Sequence, residues 1–268
     1  MTVFNLPRLS VDIDLDFAKA LSKEEMKEHR EWINSVLKRY MTAEGYTIQN
    51  KSKHTHALDS YVFSYNNAAG NPDNIKIEIN YLLRFHAFPT IDAIVQIPDI
   101  ISAIPIRTLA PIEIFASKIV ALLNRAAARD LFDIENMVNS RLFNASELVL
   151  LRKCAVLYLA IAGEVGATEF DLSKLSDITE RRIKTDLNPM IRNRQRFDLA
   201  STKQHVEEFL AELLILTEEE AFFLQRFNDG CYEPCLIFED KEILNRIENH
   251  PMAIWRTRRI KEIGGTYI

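Results

Sequence analysis

The chain has 268 residues, enough to bury a core as one large domain or two modest ones. Its 7 glycines argue against a glycine-rich all-β fold, and its formal net charge of −5 leaves any nucleic-acid contact to a local basic patch. Three unpatterned cysteines (Cys154, Cys231 and Cys235) read as free thiols of a cytoplasmic protein rather than a disulfide framework or a zinc site. No basic-then-apolar leader is visible, and the longest apolar run, residues 154–162, is too short to cross a bilayer, so no membrane partner is expected.

Residues 11–17 alternate apolar and acidic side chains, the period of a strand. Residues 22–40 read as a helix: Ser22 and Glu25 form a capping box, and Met26, Trp32, Ile33, Val36, Leu37 and Tyr40 are its expected buried stripe. Strands are expected at 57–65 and 75–82, joined through the Asn/Gly/Pro-rich loop 66–74. Residues 91–106 are β-branched but broken by Pro98 and Pro105, which suits short strands or a connection.

From Pro111, a residue suited to a first helical turn, the chain becomes helical. Helices are expected at 112–128, continuing or restarting at 131–138, then at 144–162, 178–187, 201–216, 217–229 and 239–249, the last closed by Pro251. The outline is a small α/β part, residues 1–110, followed by a helical part, residues 111–268, with no repeat or linker between them.

In an extended strand, residues two apart share a face, so Asp12, Asp14 and Asp16 project together while Val11, Ile13, Leu15 and Phe17 face the core. Such a row of carboxylates suits a hard divalent cation; it also suits a strand with a solvated acidic face. Lys76, Glu78 and Asn80 form a second polar row opposite three isoleucines, and Glu78 becomes a third carboxylate if this strand lies near the first. Three carboxylates around metal ions suit phosphoryl or nucleotidyl transfer. Lys118, Arg125, Arg129 and Asp133 fall on one stripe of a continuous helix, either a triphosphate contact or an ordinary charged face with an Arg129–Asp133 ion pair. His54 and His56 read as a polar strand entry rather than half of a metal site, and Arg181, Arg182, Arg192, Arg194 and Arg196 form a basic stretch that could hold RNA.

Several of these segments, in order, resemble the AbiEii/AbiGii-type nucleotidyltransferase toxins of the DNA polymerase β-like superfamily. Arg8-Leu9-Ser10-Val11-Asp12-Ile13-Asp14-Leu15 resembles that family's R-x-S-x-D-h-D-h segment, and residues 75–79 its K-h-E/D-h strand. Glu113, Lys118, Arg125, Arg129, Asp130 and Asp133 resemble its E-x4-K and R-x3-RD-x-x-D helical segment; residues 232–238 and 250–255 resemble its C-terminal features. The resemblance implies an α+β fold, with a polymerase β-like core of mixed sheet and helices followed by a helical C-terminal domain. It implies a Mg²⁺-dependent nucleotidyltransferase that uses an NTP, acts on an acceptor such as tRNA or another RNA, and is partnered by a separately encoded antitoxin.

Carried over by position, Asp12, Asp14 and Glu78 become catalytic metal ligands, and Ser10, Lys76, Lys118, Arg125 and Arg129 become nucleotide contacts. Asp130 and Asp133 would orient those cations, and the role of Asp16 stays open. The family also carries a Gly-Gly-Ser/Thr turn ahead of its D-x-D, where backbone N–H groups hold a triphosphate. The eleven residues before Asp12 contain no glycine, so that turn is expected to be missing. The alternative that follows is a truncated, non-catalytic relative acting as an interaction protein.

Overall fold

The computed structural model describes residues 6–9, 12–17, 21–97, 101–191 and 197–264. The chain forms two compact units, Ser10–Phe85 and the combination of Met1–Leu9 with His86–Ile268.

The first unit is a mixed sheet with one helix on one of its faces. Strands β1 (Asp12–Asp16), β2 (Thr47–Ile48), β3 (Lys53–His54), β4 (Leu58–Asn66) and β5 (Pro72–Asn80) assemble in the order β1-β5-β4-β2, with β3 also paired to β4. β4 and β5 form the antiparallel hairpin that the Asn/Gly/Pro-rich loop predicts, and β1 pairs parallel to β5. Helix α1 (Lys23–Ala43) starts at the Ser22–Glu25 capping box, with both reciprocal bonds present. Met26, Ile33 and Leu37 of α1 pack on a core of Phe17, Met41, Tyr61, Phe63, Ile77, Ile79 and Tyr81.

Two expectations fail here. Trp32 and Tyr40 lie at 65% and 60% exposure rather than in the buried stripe of α1. Ile13 and Leu15 share the isoleucine face of β5, yet they are 43% and 48% exposed, whereas Phe17 is buried. Alternation sorts side chains onto two faces; it does not say which stretch of a face receives a cover. Val11 lies outside the described residues.

At the edge of this core Asp59 is fully buried and carries a clamp. Arg30 donates to both its oxygens, Nε at 2.9 Å and Nη2 at 2.5 Å, and His54 Nδ1 lies 2.7 Å from Oδ1. Burial alone would raise this carboxyl, but the hydrogen bonds from Arg30 and His54 outweigh it and hold the pKa below the usual range. This assigns His54 to a structural pair, in line with a polar strand entry.

The second unit begins, after the Met1–Leu9 segment, with a two-stranded ribbon, β6 (Ile91–Ile97) and β7 (Ile101–Thr108), paired antiparallel. Its helices are α2 (Pro111–Arg125), α3 (Ala128–Asn139), α4 (Ala145–Ala162), the single turn α5 (Glu180–Arg182) running into a π-turn, α6 (Leu199–Leu213), α7 (Glu218–Asn228), α8 (Lys241–Ile247) and α9 (Pro251–Gly264). α4 is buried nearly all round from Cys154 to Ile161 and forms the axis against which α2, α6, α7 and α9 pack. Asn144–Glu147 and Thr217–Glu220 are complete capping boxes, and buried Glu220 also receives Arg152 Nε at 3.0 Å, tying α7 to α4. Pro251 opens α9, as first-turn prolines do, rather than merely ending α8. No helix among the described residues is long and apolar enough to cross a membrane, and the three cysteines are free thiols.

Of the two options left open for residues 112–138, a continued helix or a restarted one, the chain takes the second. Ala126 takes a left-handed conformation (φ 50°) and closes α2; Ala127 is extended and leads into α3. Arg182 Nη1 donates to the Ala126 carbonyl at 2.9 Å and so caps the end of α2.

Candidate active site

Within the first unit the register builds an acidic row. Asp12 lies opposite Lys76, Asp14 opposite Glu78, and Asp16 opposite Asn80. Directly opposed residues of paired strands point to the same face, at the ~4.8 Å spacing of neighbouring strands. The condition set by the sequence is therefore met: Glu78 stands beside Asp14 on the face away from the core. On the far side of Glu78, β4 adds Ser60, only 8% exposed, a residue that sequence reading had passed over. The signal for it was the alternation of Ser60 and Ser64 with the aromatic residues Tyr61, Phe63 and Tyr65 along β4.

Asp14 is exposed, Asp12 and Asp16 are half-buried, and the Glu78 side chain is 24% exposed. Lys76 Nζ lies 2.7 Å from Glu78 Oε2, an ion pair between neighbours on one strand face. The donors are all hard carboxylate oxygens, which is the chemistry that a hard divalent cation takes. Among the described residues no three His, Cys, Asp or Glu side chains are already gathered into a metal cage. Ser10, the remaining candidate beside this strand, lies outside the described residues.

Within the second unit the cations are tied to buried carboxylates. Asp133 is fully buried; Arg8 Nε and Nη2 reach its two oxygens at 2.6 Å each, and Lys118 Nζ reaches Oδ2 at 2.6 Å. Burial would raise the Asp133 carboxyl, but the Arg8 hydrogen bonds and the charges of Lys118 and Arg8 hold it below its ordinary value. Its partners are thus Arg8 and Lys118, rather than the Arg129 of the charged-face alternative. Arg8 is itself 3% exposed, and its segment is further fixed by a backbone bond from Leu9 N to Met190 O at 2.8 Å.

Arg125 pairs with buried Asp130 through Nε at 2.8 Å while its side chain stays 63% exposed, and Arg129 is half-buried on the first turn of α3. The break at Ala126 puts Lys118 and Arg125 on one helix and Arg129 and Asp133 on the next, so the stripe is not continuous. The role of Arg8 as the main partner of Asp133 was not legible, because the two are 125 residues apart. Of the basic stretch, Arg182 caps α2, and Arg192, Arg194 and Arg196 lie outside the described residues.

Three comparisons bear on identity. No curated protein sequence matches the chain. Among solved structures, the chain is similar to the nucleotidyltransferase toxin MenT4 of Mycobacterium tuberculosis H37Rv, with a TM-score of 0.57 and 18% identity over 94% of this chain and 80% of that one. This likeness places the mixed sheet and its helices in the fold of that toxin. The family model described as "Nucleotidyl transferase AbiEii toxin, Type IV TA system" matches residues 1–226. With most of its length covered by that model, this chain belongs to the AbiEii family of nucleotidyltransferase toxins of type IV toxin–antitoxin systems.

Proposed function

We propose that this chain is a Mg²⁺-dependent, cytoplasmic nucleotidyltransferase that moves a nucleotide from an NTP to an acceptor such as tRNA, as the toxin partner of a separately encoded antitoxin. The observation that carries the reading is the β1–β5 register, which sets Glu78 beside Asp14 on one partly exposed sheet face. The division of labour proposed is an α/β core in residues 1–110 and a helical domain in residues 111–268.

In the reaction, an acceptor hydroxyl oxygen bonds to the α-phosphorus of the NTP, the bond to the bridging oxygen breaks, and pyrophosphate and a proton are released. Asp12, Asp14 and Glu78 are the residues that would hold Mg²⁺, which supplies charge neutralisation for the attacking and leaving oxygens. Lys76, Lys118, Arg125, Arg129 and Ser10 are the proposed nucleotide contacts. Arg125 suits this role because its guanidinium is oriented by Asp130 yet largely exposed. Lys118 is more enclosed, and its bond to Asp133 fixes where the ammonium stands. Asp130 and Asp133 orient cations rather than meet substrate, since both are buried.

The test is incubation with labelled NTPs, Mg²⁺ and total tRNA, with calorimetric titration of Mg²⁺ and NTP alongside. Label transfer that Asp14→Asn removes without loss of fold supports the reading. Absence of both transfer and NTP binding would replace it with the non-catalytic interaction protein.

A further inference from the structure

We propose that Lys76 is an internal counter-ion of the acidic row, engaging Glu78 until a divalent cation displaces it and frees its ammonium for the nucleotide. The inference rests on the reading of Asp12, Asp14 and Glu78 as metal ligands, and deepens it.

β1 brings Asp12, Asp14 and Asp16 to one face, and β5 adds Glu78. Lys76 is the one cationic residue in the sequences of these two strands. Its position is specific: it stands directly opposite Asp12 and two residues from Glu78, on the same face as both. Its ammonium is committed to Glu78 Oε2 at 2.7 Å. The carboxylate that would complete the metal-binding set is therefore already engaged by a positive charge.

Both partners are partly exposed, at 39% and 24%, so the ion pair is weak enough to exchange. A divalent cation brings twice the charge to the same carboxylates. The lysine stem is flexible and its ammonium is a compact point charge, so it can swing off Glu78 without moving the strand. Once released, its ammonium remains beside the acidic row and is available to an anionic ligand. Lys76 is on this account a positioning residue toward the metal and a contact toward the nucleotide.

The two roles predict effects of opposite sign from one substitution. With Mn²⁺ alone as the probe, followed by electron paramagnetic resonance or calorimetry, Lys76→Met should bind the ion about two- to five-fold more tightly than the native chain, as release from an exposed pair of about 0.5–1 kcal/mol requires. The same variant should bind NTP more weakly in the presence of the metal. Lys76→Arg should keep the native Mn²⁺ affinity, and adding Glu78→Gln should abolish the gain from Lys76→Met.

A second measurement uses the native chain: saturating Mg²⁺ without nucleotide should raise the amine-labelling rate of Lys76, read by mass spectrometry. Equal or weaker Mn²⁺ binding by a folded Lys76→Met, or a labelling rate indifferent to Mg²⁺, overturns the inference. Asp14→Asn separates the two failures. If it weakens Mn²⁺ binding while Lys76→Met does not tighten it, only the counter-ion role falls. If Mn²⁺ binding is absent, or does not depend on Asp14, the metal-site reading falls and takes this inference with it.

Discussion

The acidic sheet row and the Asp133 cluster deal with concentrated charge in opposite ways. On β1 and β5, carboxylates share a partly exposed face, and the ion pair made there by Lys76 is itself partly exposed. Around Asp133, one fully buried carboxylate receives three bonds of 2.6 Å from Arg8 and Lys118. The first arrangement leaves carboxylate chemistry accessible to an added cation. The second consumes its carboxylate in holding two cations still, because a buried charge is tolerated only when it is paired and hydrogen-bonded. The lesson is that a charged residue in a family motif is assigned a role by its burial and partners, not by its letter.

Four substitutions or conditions would break or sharpen this contrast. The largest effect is expected at the open row: Asp14→Asn should lower nucleotide transfer by about a thousand-fold, or roughly 4 kcal/mol in the barrier, with the circular dichroism spectrum unchanged. Transfer within ten-fold of native would remove Asp14 from the chemistry. The closed cluster should respond in stability instead. Asp133→Ala strands the buried Arg8 and the partly enclosed Lys118, and should cost about 3–5 kcal/mol in denaturant unfolding; a loss below about 1 kcal/mol would show that the cluster is not under strain when opened.

Acid titration gives a smaller, graded effect. The folded-state pKa values of Asp133 and Asp59 are both depressed, so protons bind the unfolded chain more readily. Their contribution to stability is complete above the unfolded value, about 3.9, and is lost as pH falls from there through the folded values. Thermal unfolding should therefore show a fall in midpoint below about pH 4 that is shallower in Asp133→Asn; identical slopes would contradict the assignment. The smallest effect belongs to the Asp92–Arg107 pair of the β6–β7 ribbon, whose side chains are 78% and 72% exposed. Arg107→Ala should leave the unfolding midpoint unchanged within error, as solvent-screened pairs do.

Much of the fold was legible where its signals are local. The period-two alternation at 75–82, the Asn/Gly/Pro loop before it and the three capping boxes each involve residues within a few positions of one another, and each forms as read. The pairing of β1 with β5 could be stated only as a condition, since nothing in either strand names its neighbour. The break after Arg125 left no mark, because alanine rather than glycine takes the left-handed turn at 126. Pro251 was ambiguous in principle: proline both ends a helix and begins one. The exposure of Ile13 and Leu15 depends on what covers a sheet face, and the Arg8–Asp133 bond on two segments far apart in sequence; neither is encoded in a window.

The Arg8–Asp133 bond has a consequence for the order in which the protein is made. At the usual 5–20 residues per second, a ribosome adds Asp133 about 6–25 s after Arg8. Ser10–Phe85 has been synthesised completely by then, whereas the segment carrying Arg8 belongs to the other unit and lacks its partner. The segment carrying Arg8 is therefore translated well before the carboxylate that secures it. A toxin built this way has a nascent interval in which its acidic strand exists while the arm just ahead of it in sequence is still untethered.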